Sequence, residues 1–321
     1  MKKKAPVMKV ILLAFGCAAL MALCPAARAA SPEPLPEELR LLSKKGIDAI
    51  YAVDLPEARK NFELAVQKYP DHPYPHFGIA MTKWAELEYL EDESDPKLAG
   101  EYVALTDRAI DIAKAWLDRH PADANAYMCL GGMYGLRARL AVMQHRWFKA
   151  YFDGKKAISN TRRSLKVDPE MYDSYLGLGM YEYYAGTLPG VIKLLAKLVV
   201  SGDAAKGIEY LRMCKEKGYF NSTAAELLLI EIFTDPDSRF KDPRTAVKWS
   251  AELRKAYPLH PQMHFVQIVS LYEAGQYEEA RKEALEYLKR VGEGVPAYRR
   301  RYLPRILSAL GSIRLAENRK E

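Results

Sequence analysis

The stretch LPEARKNFELAVQKYP, residues 55–70, sets the fold. In it a small residue, Ala58, is followed four, seven and twelve positions on by Phe62, Ala65 and Pro70. The same spacing returns as Ala109, Ala113, Trp116 and Pro121, then as Ala157, Thr161, Ser164 and Pro169, and again as Ala246, Ser250, Leu253 and Pro258. Offsets of four and seven place three residues on one helical face, and a proline five residues later cannot continue the helix. A unit that recurs every few tens of residues specifies a stacked array in which neighbouring units bury each other's apolar faces. Such arrays generally present surfaces for binding and do not carry out chemistry.

Outward from these anchors, residues 37 onward alternate apolar-periodic segments of about a dozen residues with breaks rich in Pro, Gly and Asp, with no alternating strand pattern. The expected fold is all-α. It comprises about six helical hairpins, starting near Glu38, Pro73, Ala124, Tyr172, Thr223 and Pro261, with a C-terminal capping helix from about Pro304. Pro70 to Pro121 and Pro121 to Pro169 are longer steps than a compact hairpin needs. The excess is read as segments inserted between the two helices of several hairpins, projecting from one side of the array.

The segment YMCLGGMY adds Tyr127, Leu130, Gly131 and Tyr134, which resembles the aromatic-x-x-Leu-Gly-x-x-Tyr opening of a tetratricopeptide repeat (TPR). Tyr175, Leu178 and Gly179 repeat it, with Glu182 in place of the last tyrosine, and Gly275, Tyr277 and Ala280 occupy the turn and second-helix positions near the end. The block YLGLGMYEYYAGTLPG, followed by Gly202-Asp203, resembles a subfamily of secreted bacterial TPR proteins with a YY-x-x-x-LPG insertion and a Gly-Asp block. It is also distantly similar to eukaryotic TPR proteins of the outer mitochondrial membrane. The resemblance implies a right-handed solenoid and an exported location, but no biochemical activity.

The first 29 residues read as a secretory signal peptide. Lys2, Lys3, Lys4 and Lys9 precede the apolar run 10–23, and Ala27-Arg28-Ala29 offers a cleavage site. Residues 30–36 are a Pro-rich leader, and 37–321 the repeat domain. The formal charge of +7 loses five cations and no acid with the signal segment, falling to +2, so net charge gives no case for nucleic-acid binding. Ordinary cleavage is favoured over lipidation at Cys17 or Cys24. Of the remaining cysteines, Cys129 and Cys214, small buried hydrophobes are favoured over a disulfide. These features imply an exported protein, periplasmic or associated with the outer membrane of a Gram-negative-type bacterium.

Carrying the repeat register along the first helices places Tyr74, Phe77, Met81, Trp84, Asn125, Met128, Met180, Tyr183, Phe265 and Tyr272 toward a concave surface. That aromatic and methionine-rich set suits a peptide or protein partner with apolar anchors. The same residues equally suit packing beneath the insertions, and a filled groove would remove the peptide reading. Leu188, Val191, Ile192 and Leu195, in the segment 187–201, form an apolar stripe for which packing is favoured over partner binding, and membrane contact comes last. His72 and His76, like His260 and His264, are four apart, but Pro73, Pro75 and Pro261 work against a helix through the first pair and at the start of the second, and the repeat explains their position without a metal. The acidic run from Glu86 to Asp95 and the basic one from Arg299 to Arg305 read first as solvated faces. No nucleophile motif, phosphate loop or dinucleotide fingerprint is present, so neither catalysis nor a cofactor is expected. The alternative to a scaffold is a helical-repeat accessory subunit of an envelope transport or assembly system that holds a hydrophobic ligand.

Overall fold

The computed structural model describes residues 33–89, 96–187, 202–298 and 302–318. The expected signal peptide, the stripe Leu188, Val191, Ile192 and Leu195, and the arginines 299–301 lie outside the described residues. The compact unit 33–321 contains, among its described residues, α-helices and one short 3-10 turn and no strand. In chain order they are α1 Glu37–Tyr51, α2 Leu55–Lys68, α3 Pro73–Tyr89, α4 Pro96–Arg119, α5 Ala124–Met143, α6 Trp147–Val167, α7 Tyr175–Gly186, α8 Ala204–Lys217, α9 Ser222–Thr234, α10 Pro243–Ala256, α11 Pro261–Glu273, α12 Tyr277–Gly292 and α13 Leu303–Asn318.

Local chemistry sets these boundaries. Asp54, Asp203 and Asp242 cap the second helices α2, α8 and α10, accepting from the backbone N–H of Glu57 (3.1 Å), Ala205 (2.9 Å) and Thr245 (3.2 Å). Pro56 and Pro243 fall in the first turn, where a missing N–H costs nothing. At the other ends, α2, α4, α6 and α10 each stop two residues before Pro70, Pro121, Pro169 and Pro258. The residue ahead of each proline is pushed out of helical geometry, as Tyr69, Asp168 and Tyr257 show. Pro73 and Pro75 do not bar a helix, contrary to the sequence reading. They sit in the first turn of α3, which carries His76.

Each helix packs on its neighbours in sequence, and a second layer of contact joins first helix to first helix: α1 to α3, α3 to α5, α5 to α7, α9 to α11 and α11 to α13. First helices therefore share one side of the array and second helices the other, with α13 as the cap. Among the described residues, six hairpins result.

The recurring spacing lies at the close approaches within and between hairpins. Phe62 of α2 is fully buried between Gly46 of α1 and Gly78 of α3. A Cβ on Gly46 would stand 2.6 Å from the Phe62 ring, and one on Gly78 closer still. Thr161, its counterpart in α6, sits between Gly131 of α5 and Gly177 of α7. Two further second helices follow the same rule: Gly207, Leu211 and Cys214 in α8, and Ala280, Ala284 and Tyr287 in α12. The sequence reading counted both hairpins but did not recognise this spacing in them, because glycine ends both helices where proline ends the others. Cys129 of α5 and Cys214 of α8 are both free and buried.

The material expected as inserted segments takes another form in the third hairpin. Here α5 and α6 run to 20 and 21 residues and are joined by three residues, 144–146, whereas α10 and α11 have 14 and 13. The excess is helix, added at the end of the hairpin where its two helices join. In hairpins two and three these extensions build their own core from Trp84, Leu87, Ala99, Tyr102 and Leu140. Arg137 of α5 ties the extensions together, pairing with Asp107 of α4 and with buried Asp153 of α6 at 3.2 Å. Extra helical turns with an apolar stripe bury themselves, whereas an equally long loop would leave its backbone groups unpaired.

Hairpins four and five are joined through Asp173. Its buried carboxylate accepts the backbone N–H groups of Asn221 (2.7 Å), Phe220 (2.8 Å) and Tyr219 (3.3 Å), fixing the turn between α8 and α9. Burial pushes this carboxyl up, and the three donors oppose that shift. Asp173→Ala leaves three donors unpaired and is expected to cost about 3 kcal/mol or more, read from the urea midpoint; Asp173→Asn, which keeps one acceptor oxygen, should cost less.

Candidate partner-binding surface

The first helices curl so that the start of the array meets its far end. Tyr51, at the end of α1, stands 5.5 Å from the Tyr257 ring and 6.1 Å from that of His260, although more than 200 residues intervene. Tyr89, at the end of α3, reaches the same His260 at 4.8 Å, and Val53 packs on the cluster around Ile268 and Tyr287. The first-helix side is thus an inner face, and part of it is closed by its own side chains.

Most residues placed there from the register are packing residues. Tyr74, Phe77, Trp84, Asn125, Met128 and Tyr183 are buried, while Met81, Phe265 and Tyr272 are half-buried. Tyr74 packs on Phe220 at 4.7 Å, Trp84 on Tyr102 at 5.3 Å, and Phe265 stacks on Tyr302 at 5.4 Å. Only Met180 of the ten is exposed, at 41%.

Met180 leads to a smaller open surface. One turn along α7 lies Tyr184, 50% exposed, on the same face as Met180. Near it is Arg139 of α5, held to Glu88 at 2.7 Å and lying 5.0 Å over the Trp84 ring. Also near it is Glu231 of α9, which accepts from Gln262 of α11 at 2.9 Å. The charges of Glu231 and Arg139 both act on the Tyr184 hydroxyl, so the three groups lie near one another. Glu231 is exposed, yet burial among surrounding atoms pushes its carboxyl up, while Gln262 and Arg139 pull it down and Glu88 pushes it up. Burial first, then the nearby Glu231, raises the Tyr184 hydroxyl to about 12. One apolar anchor, one phenol and a charge of each sign can hold a short segment of polypeptide through side-chain and backbone contacts.

Sequence reading missed Tyr184, Arg139 and Glu231. The Tyr183-Tyr184 pair was a usable signal, since adjacent helical residues point about 100° apart and only one can be core. The charged pair gave none, because isolated charges on helices are ordinarily solvated.

The histidines are structural. His72 Nδ1 accepts from the Tyr74 backbone N–H at 3.1 Å, and its Nε2 lies 3.5 Å from Asp123, the cap of α5. His76 contacts the Pro70 carbonyl at 2.7 Å, His260 caps α11, and His264 contacts Tyr298 and Glu283. Among the described residues no group of three or more His, Cys, Asp or Glu side chains is placed to hold a metal.

The comparisons agree with this architecture in the fifth and sixth hairpins. Residues 242–295 match the tetratricopeptide repeat family. That span runs from the Asp242 cap of α10 through α12, so it includes the third-helix continuation that lets one hairpin stack on the next. A thermophilic TPR protein of Thermus thermophilus is similar in structure, with 17% identity and a TM-score of 0.43 over 73% of this chain and 99% of that one. No curated protein matches the chain.

Proposed function

We propose that the chain is a non-catalytic interaction scaffold of the cell envelope, holding a peptide or protein segment on its inner face. The observation that carries this reading is the exposed Met180–Tyr184 stripe on a first helix, with Arg139 and Glu231 near enough to act on the Tyr184 hydroxyl. Helical repeats of this kind use their concave side as an extended contact surface, which supports the assignment. The export pattern of residues 1–29 supports the envelope location, and the segment 187–201 offers a second contact.

The test is affinity capture from envelope extracts with the intact chain, with Tyr184→Ala combined with Glu231→Lys, and with 187–201 deleted. A central aromatic anchor and its charged neighbour together should account for at least about a tenfold loss of partner recovery. The melting transition should be unchanged for the double variant, since both side chains are exposed. Recovery equal to that of the intact chain from the double variant would overturn the inner-face assignment. Identical partners after deletion would reduce 187–201 to packing.

A further inference from the structure

Helix α6 carries a feature that neither the repeat packing nor the inner face uses. Its inward stripe, Asp153, Ala157, Asn160, Thr161 and Ser164, is buried in the array. On the opposite side, Trp147, Phe148, Tyr151 and Phe152 are exposed by 61%, 85%, 38% and 58%. Offsets of one, four and five join these four into one continuous strip over the first two turns. The strip continues along the helix as cations: Lys155, Lys156, Arg162, Arg163 and Lys166 are all exposed. The one acid of α6, Asp153, is buried and held by Arg137 and Lys149. Aromatic and basic parts touch, with the Lys155 ammonium 5.7 Å over the Tyr151 ring.

Isolated exposed apolar residues need no explanation, but four contiguous large aromatics do. α6 is a second helix, on the outer side of the array, and its aromatic end lies at the lengthened end of the third hairpin. A protruding ridge has no walls to grip a folded partner, but it can enter a deformable surface. Trp, Tyr and Phe bordered by Lys and Arg match the depth profile of a bilayer interface, where aromatic rings sit among headgroups and cations meet anionic lipid. We propose that the outer face of α6 docks the protein peripherally on an anionic lipid bilayer, the four aromatics entering the interface and Lys155, Lys156 and the later arginines contacting headgroups. This leaves the inner face free, so a partner and a membrane could be held together. Among the described residues no helix is long and apolar enough to cross a membrane, and the proposed contact needs none.

The test uses the compact unit 33–321, because the apolar run at residues 10–23 would itself bind lipid. The unit is sedimented with vesicles of phosphatidylcholine alone and of phosphatidylcholine mixed with phosphatidylglycerol, and tryptophan quenching by brominated lipid is recorded in parallel. Binding to the anionic vesicles that weakens with salt, and quenching that disappears in Trp147→Phe, are the expected results. Phe148→Ser combined with Phe152→Ser should weaken lipid partitioning by about tenfold or more with an unchanged melt, and exposed Leu285→Ser should not. No binding to anionic vesicles would overturn the proposal. So would binding abolished by Lys155→Glu with Lys156→Glu but unaffected by the phenylalanine changes and without quenching, which would indicate a contact of charge alone, suited to an acidic protein.

Discussion

Phe62→Ala is expected to destabilise the repeat domain by about 3–5 kcal/mol, the usual range for emptying a fully buried aromatic site. Phe62 is fully buried, and its ring lies in the notches left by Gly46 and Gly78, so α1 of its own hairpin and α3 of the next lose contacts at once. Gly78→Ala should also destabilise, by about 1–3 kcal/mol, because its methyl would enter the ring. Combining the two changes makes the prediction specific. With the ring gone the new methyl has room, so the double variant should cost less than the sum of the singles. Urea unfolding of the four proteins measures this, and strict additivity would show that the glycine notches are not shaped by Phe62.

The second large effect is acid sensitivity centred on His260. This side chain is fully buried; its Nδ1 caps α11 by accepting from the Met263 backbone N–H at 3.4 Å, and its Nε2 has no hydrogen-bond partner among the described residues. The rings facing it belong to Tyr51 and Tyr89, which carry no charge near neutrality. Burial in these surroundings lowers its pKa from 6.5 to about 3. The folded state therefore keeps His260 neutral while the unfolded chain takes up a proton below 6.5. Stability is complete above that value and falls by about 1.4 kcal/mol per pH unit as the pH drops toward 3. His264, also lowered first by burial, adds to the decline with the same sign. His260→Asn keeps an acceptor at the cap and removes the titration, so its advantage over the parent should grow steadily as the pH falls from 6.5 to 4.5. Parallel stability profiles over that range would refute the assignment.

The reach of the sequence differs between scaffold and site. Hairpin starts at Pro73, Ala124 and Pro261 were legible because capping residues and helix-stopping prolines act locally. Gly207-Leu211-Cys214 and Ala280-Ala284-Tyr287 carry the same packing rule but end in glycine, so the proline-based pattern passed over them. Extra length in the third hairpin was visible as spacing; its helical form was not, since that depends on Trp84, Leu87, Tyr102 and Leu140 meeting across three helices. Inner-face residues were least legible. First helices serve the core between hairpins and the concave side at once, and the boundary between those roles can fall between neighbours such as buried Tyr183 and exposed Tyr184. The closure of Tyr51 and Tyr89 onto His260 depends on curvature accumulated over the whole array. No single repeat encodes it.

The most direct test of the inner-face account is photo-crosslinking in the cell that makes the protein, with a photoreactive phenylalanine analogue at Tyr184 and, as a control, at exposed Leu285 on the outer helix α12. A discrete crosslinked protein from position 184, lost when Glu231→Lys is added and absent from position 285, is the predicted result. The same crosslinks from both positions, or none from 184, would contradict it.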